Sequence, residues 1–255
     1  MKTIVFANQK GGCSKSTSCN ALALGLTAKG HKVLAVDLDP QGNLSFGLGV
    51  DLLGATKTLY QTLKGECEPQ EALQSRLNFV DVLSVGIEAA AADMELVSLP
   101  AREYRLKDIL NTFKANYDYC VIDTSPTLGL LTMNALTAAN EVVIPLNLDM
   151  YGLMGIEQLK GFIENIQRYT NPDLKVKGIL VTKYNERLNL SAALDDTVKK
   201  AADSLQTIVF KNRIRESVAI RETQLTQGNI FDDAPKAGAS VDYMAFVEEF
   251  LSMEV

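Results

Sequence analysis

The stretch Lys10-Gly11-Gly12-Cys13-Ser14-Lys15-Ser16-Thr17 follows an apolar run, Thr3-Ile4-Val5-Phe6-Ala7, and precedes a helix-like segment. Strand, glycine-containing loop and helix N-terminus together form the geometry that cradles phosphate, because loop N–H groups and the helix dipole face the anion. Lys15 is placed to reach β/γ phosphates and Ser16 to ligand Mg²⁺. The strict G-x-x-x-x-G-K-[ST] pattern fails twice, with Gln9 in the first glycine position and Ser14 immediately before Lys15. An additional lysine, Lys10, opens the loop.

Outward from that loop, strand and helix patterns alternate. Strands are expected at 3–8, 32–37, 78–85, 119–123, 141–146, 177–182 and 207–210. Helices are expected at 16–29, 101–114, 128–139, 152–168, 191–204 and 238–252. Residues 49–77 read as irregular. Repeated βα units with uninterrupted apolar strands predict an α/β fold, a mostly parallel sheet flanked by helices on both faces. Such a sheet gathers functional loops at the carboxyl ends of its strands. With 255 residues and neither an internal repeat nor a low-complexity linker, the expectation is one domain over 1–255.

An apolar content of 47% excludes a disordered chain. The first residues have a strand pattern rather than a basic segment followed by an apolar helix, so no signal peptide is expected. No uncharged apolar run approaches the roughly 20 residues needed to span a bilayer. Cys13, Cys19, Cys67 and Cys120 lack C-x-x-C spacing, and with one histidine in the chain a structural zinc site is not expected. Buried thiols in a reducing cytoplasm fit better. The net charge of -6 argues against indiscriminate DNA coating, yet residues 175–221 carry a local excess of basic residues. A localised basic surface on an acidic body suits contact with phosphate backbone.

Three acidic strand ends add chemistry to the phosphate loop. Asp37 and Asp39 occur in Val36-Asp37-Leu38-Asp39-Pro40-Gln41-Gly42-Asn43, and Asp123 ends the apolar run of Val121-Ile122-Asp123-Thr124-Ser125-Pro126. An isolated aspartate there reads as a cap of the following segment. Three of them beside a phosphate loop suit holding Mg²⁺ water ligands or orienting an attacking water.

With Asn8-Gln9 before the loop and Leu130-Leu131-Thr132-Met133-Asn134-Ala135-Leu136 after it, these motifs resemble, in this order, the ParA/MinD-type deviant Walker A ATPases. The resemblance is strongest to the ParA/Soj partition type and extends over essentially the whole chain. It implies ATP and Mg²⁺ as cofactors, bound by Lys10, Gly11, Gly12, Cys13, Ser14, Lys15, Ser16 and Thr17. By resemblance, Lys10 crosses an ATP-sandwich dimer to the partner's phosphates, and Lys15 is the ordinary P-loop lysine. Asp39 positions the hydrolytic water, Asp37 supports the Mg²⁺ shell with Ser16, and Asp123 is the Walker B carboxylate acting through metal-bound water. The turn Thr182-Lys183-Tyr184-Asn185 resembles the region near adenine, which makes Asn185 a nucleotide contact. The departure is Ser14, since the family has glycine there. A positive φ at that position would strain a serine.

The implied function is an ATP-dependent partition ATPase, a homodimer with ATP, that binds nonspecific DNA and is reset when a ParB-like centromere-binding partner stimulates hydrolysis. Lys183, Arg187, Lys199, Lys200, Lys211, Arg213, Arg215 and Arg221 are candidates for phosphate contact. The implied location is cytoplasmic and nucleoid-associated. A MinD-like membrane regulator would want a basic amphipathic terminal helix, and residues 241–255 hold Asp242, Glu248, Glu249 and Glu254 with no Lys or Arg. A noncatalytic nucleotide-dependent adaptor is the other alternative, because of Ser14.

Overall fold

The computed structural model describes residues 1–50, 57–75, 80–148, 150–184 and 191–254, with backbone alone for 150–154 and 191–194. Its sheet consists of β1 (Lys2–Phe6), β2 (Val33–Asp37), β3 (Asp81–Ser84), β4 (Tyr119–Asp123), β5 (Glu141–Asn147) and β6 (Lys175–Thr182). They pair in the order β3-β2-β4-β1-β5-β6, and every pairing is parallel. The helices are α1 (Lys15–Ala28), α2 (Asn43–Gly47), α3 (Leu59–Lys64), α4 (Ala92–Glu95), α5 (Arg105–Phe113) and α6 (Leu130–Ala138). They continue as α7 (Met150–Tyr169), α8 (Ser191–Ser204), α9 (Val218–Leu225), α10 (Ile230–Asp233) and α11 (Gly238–Ser252).

The strands are apolar on both sides because both faces are covered. Val5, Leu34, Val36, Cys120 and Ile122 join one core with side chains of α3, α5, α6 and α7. Their neighbours Ile4, Phe6, Val33, Ala35 and Val121 join a second core with α1, α2 and α11. Period-two alternation therefore divides each strand between two buried layers. In the second layer α1 lies close to α11: a Cβ on Gly25 would stand 2.5 Å from a Val247 methyl, so a larger residue there would push the helices apart.

The opposite, amino-terminal end of the sheet is closed by charge. Lys177 is buried, donates to Glu141 at 3.3 Å and pairs with Glu254, while Lys2 bridges the same two carboxylates. Lys177 also lies 5.1 Å from the centre of the Phe250 ring. This network ties the end of α11 to the starts of β1, β5 and β6.

Two expectations need correction. Residues 207–210 do not form a sheet strand; they contribute one parallel bridge, Ile179 to Val209, beyond β6. The span 49–77 is not irregular throughout, because α3 lies within it. There Gln61 Oε1 accepts from the Thr58 N–H at 2.6 Å, half of a capping box that the sequence Thr58-Leu59-Tyr60-Gln61 carries. Among the described residues, no helix is long and apolar enough to cross a membrane.

Candidate nucleotide site

The loop after β1 is held from behind by the carboxyl ends of β5 and β6. Asn8 donates to the Pro145 carbonyl at 2.7 Å and accepts from the Lys10 N–H at 3.0 Å. The Gly12 carbonyl accepts from Asn147 at 3.4 Å, and the Cys13 carbonyl faces the Thr182 hydroxyl at 3.1 Å. The Lys10 carbonyl accepts from the Lys15 ammonium and the Cys13 thiol, each at 3.1 Å. A trans peptide sets its N–H opposite its C=O, so the amides of Gly11, Cys13 and Ser14 turn away from these partners. Amides facing outward at the N-terminus of α1 suit an anion.

Ser14 adopts φ 67° and ψ 28°, the left-handed conformation. The positive φ that would strain a serine is present, and Gly12 beside it has φ 73°. A side chain in this region costs roughly 1–2 kcal/mol relative to the ordinary backbone regions. The loop keeps its shape because its carbonyls are pinned on the far side.

In front of these amides is a cavity of about 740 Å³, lined by Gly11, Gly12, Ser14, Lys15, Ser16, Thr17 and Asp39. Its lining also includes Pro126, Lys183, Ile214, Arg215, Arg221 and Gln224. Lys15, at 6% exposure, lines this space while its ammonium donates to the Lys10 carbonyl. Lys10 stands outside the lining, at the loop's entry. Cys13 lies beneath the loop, where burial raises its thiol pKa. Asn185 and Arg187 fall outside the described residues.

Register brings the acids together. Asp37 and Asp123 are paired neighbours at the ends of β2 and β4, and Phe6, just before the phosphate loop, pairs with Asp123 on its other side. Both are fully buried. Asp37 is held on both oxygens: Oδ1 accepts from the Asp39 N–H at 3.1 Å, and Oδ2 from the Ser45 N–H and hydroxyl at 2.8 and 2.7 Å. Burial pushes its carboxyl up to about 6. Among the described residues, neither Asp123 oxygen has a hydrogen-bond partner of ordinary geometry. Burial raises its pKa strongly, the Asp37 charge raises it further, and nearby Ser16 and Lys15 act in the opposite direction. A buried carboxylate without partners is costly unless a cation or its water shell completes it. No cluster of three or more Asp, Glu, His or Cys side chains among the described residues is arranged to enclose a metal directly. One orphan carboxylate beside a serine hydroxyl instead suits a hydrated Mg²⁺ shared with phosphate oxygens.

The basic residues divide. Lys183, Arg215 and Arg221 line the cavity rather than a separate face. Arg215 grips Asp242 of α11 with two bonds at 2.7 and 2.8 Å. Arg213 pairs with Asp195 at 2.8 Å and covers the Tyr184 ring. Lys199, Lys200 and Lys211 are exposed on the surface. Sequence reasoning missed Gln224 of α9, which donates to Thr17 at 3.1 Å from 207 positions away. Its only local signal is a short apolar-polar pattern around Ile220.

Comparison with known proteins identifies the family and the fold. A family model described as an AAA domain, AAA_31, matches residues 1–176. The chromosome partitioning protein ParA of Myxococcus xanthus is 37% identical over 89% of this chain and 77% of its own length. The sporulation initiation inhibitor protein Soj of Bacillus subtilis is 37% identical over 89% of this chain and 87% of its own. Among solved structures, a cobyrinic acid a,c-diamide synthase from Mycobacterium smegmatis with bound ATP analog and magnesium superposes with a TM-score of 0.86. It is 32% identical and covers 100% of this chain and 96% of its own. The cell division ATPase MinD of Pyrococcus furiosus, at 23% identity and a TM-score of 0.79 over 99% of both chains, shares the fold.

Proposed function

The chain belongs to the ParA/Soj-type partition and positioning ATPases of the AAA_31 family, and from that membership we propose that it is an ATP-gated DNA partition switch. The observation that carries the reading is the buried, partnerless Asp123 carboxylate beside a phosphate loop whose lysine is already buried at the cavity.

ATP would lie along the loop, with its phosphates on the amides of Gly11, Gly12, Cys13 and Ser14. Lys15 neutralises phosphate charge, and Thr17 offers a further hydroxyl. Ser16 would hold Mg²⁺, Asp123 would hold its water shell, and Asp37 would support that shell through its tight cage around Ser45. When bound, the cation neutralises charge between the terminal phosphates. Asp39, at the cavity wall, orients the attacking water, and the reaction is phosphoryl transfer to water with no covalent intermediate. Lys10, at the loop's entry, lies outside the cavity lining where the chain's own nucleotide would sit. In this reading it would reach the phosphates of a second copy, which would make assembly depend on nucleotide through linkage. We read the molecule as one domain working as such a dimer.

Lys199, Lys200 and Lys211, exposed on the surface, supply the DNA-facing charge of this reading. Arg213 and Arg215 have acidic partners within the chain and contribute less. Contacts would be to phosphates, so DNA affinity should fall steeply with salt. A ParB-like centromere-binding protein would stimulate turnover, and the dimer would be nucleoid-associated. ATP turnover by purified protein with Mg²⁺, DNA and its genuine partner tests the enzyme. Absence of turnover under those conditions would overturn it.

A further inference from the structure

Two threonines in α1 behave differently. The Thr27 hydroxyl donates back to the Ala23 carbonyl at 2.9 Å, the usual resting place for a helical threonine proton four residues along. The corresponding carbonyl for Thr17 is that of Cys13, which faces the Thr182 hydroxyl at 3.1 Å. Thr17 makes no such back-bond among the described residues. Its Oγ1 instead receives the side-chain amide of Gln224 at 3.1 Å. An amide N–H₂ only donates, so the Thr17 oxygen is the acceptor and its own proton points elsewhere. Thr17 and Gln224 both line the cavity.

We propose that Gln224 is a positioning residue for nucleotide binding, holding the Thr17 hydroxyl with its proton toward the phosphate chain. This rests on the reading above that ATP occupies the cavity. The bond does more than fix a rotor. It anchors α9 to the N-terminal turn of α1, and α9 carries Ile220, Arg221 and Leu225 along the same cavity. Binding of phosphate at Thr17 is thereby coupled to the seating of α9, an eight-residue helix that also packs against α2, α10 and α11 and exposes Val218 and Leu225.

The test is a double-mutant cycle read by titration with a fluorescent ATP analogue and by steady-state kinetics. Gln224→Met keeps the side chain's bulk and removes the donor. It should weaken analogue binding about three- to tenfold and raise KM equally, with kcat within twofold of wild type. In a Thr17→Val background the same change should cost less than twofold, whereas a Thr17→Ser background, which keeps the hydroxyl, should restore the full effect. Gln224→Glu, whose carboxylate would capture the Thr17 proton, should weaken binding more than Gln224→Met in wild type. Equal losses in the wild-type and Thr17→Val backgrounds, or no loss in wild type, would overturn the role of Gln224 while leaving the ATP site intact. Failure of the wild-type protein to bind the analogue would overturn the ATP reading itself, and with it this inference.

Discussion

The ammonium of Lys15 donates to the main-chain carbonyl of Lys10 at 3.1 Å, so the two lysines of the loop are joined through backbone rather than through like-charged side chains. Their side chains can therefore be removed separately. Lys15→Ala should weaken ATP binding by at least tenfold, since it takes the buried positive charge from the cavity. Lys10→Ala leaves the carbonyl, and with it the seat of Lys15, in place. It should bind ATP within about threefold of wild type while failing to dimerise. Parallel calorimetric titration and light scattering of the two variants separate these outcomes.

Ser14 sits at φ 67° with no side-chain hydrogen bond capping the helix it precedes. Ser14→Gly should raise unfolding stability by about 1 kcal/mol, because glycine occupies the left-handed region without the Cβ penalty. Denaturant melts check this, and an unchanged or lower midpoint would show that the loop does not strain the serine. Turnover measured on the same variant decides whether that strain limits hydrolysis.

The buried Asp123 carboxyl makes no hydrogen bond of ordinary geometry among the described residues. Asp123→Asn removes a buried ionisable carboxyl at nearly constant volume, so at alkaline pH, where that carboxyl is charged despite its raised pKa, it should melt at a higher temperature than wild type in EDTA. The order should reverse with ATP and Mg²⁺, where wild type gains ligand stabilisation that the variant largely lacks. Thermal scans under both conditions read the crossing.

At the other end of the sheet, burial works to raise the Glu254 pKa, but its bonds to Lys177 and Lys2 outweigh that and hold it below the ordinary carboxylate value of 4.5. A depressed carboxylate contributes stability that is present above that value and is lost as pH falls through the lower folded pKa. Lys177→Met should cost about 3 kcal/mol at neutral pH, by leaving buried carboxylates with one partner fewer. It should also flatten the loss of stability below pH 4.5. Urea melts at a series of pH values measure both.

The central βα pattern was legible because its signals are local. Tyr119-Cys120-Val121-Ile122-Asp123 is apolar up to its terminal acid, and both that strand and the helix 191–204 have the boundaries expected from sequence. The short helices were harder. α2 has five residues and α10 four, too few for a helical period to rise above a loop. α3 was readable from its Thr58-Gln61 spacing but lay in a stretch without longer periodicity. The segment 207–210 has a strand's composition, yet meets β6 at a single bridge. Within the site, the loop lysines and strand-end acids were visible as motifs. The Gln224–Thr17 bond, the orphan state of Asp123 and the seating of Arg215 on Asp242 depend on tertiary placement, and no local pattern encodes them.

The ATP-gated switch is tested most directly by DNA affinity and molecular mass measured together in Mg²⁺ with ADP or a nonhydrolysable ATP analogue, for wild type and Lys10→Ala. With the analogue the wild-type protein should have a dimer's mass and bind DNA at least tenfold more tightly than with ADP, and Lys10→Ala should remain monomeric and weak in both. Equal DNA binding by the wild-type protein in the two nucleotide states would contradict the switch.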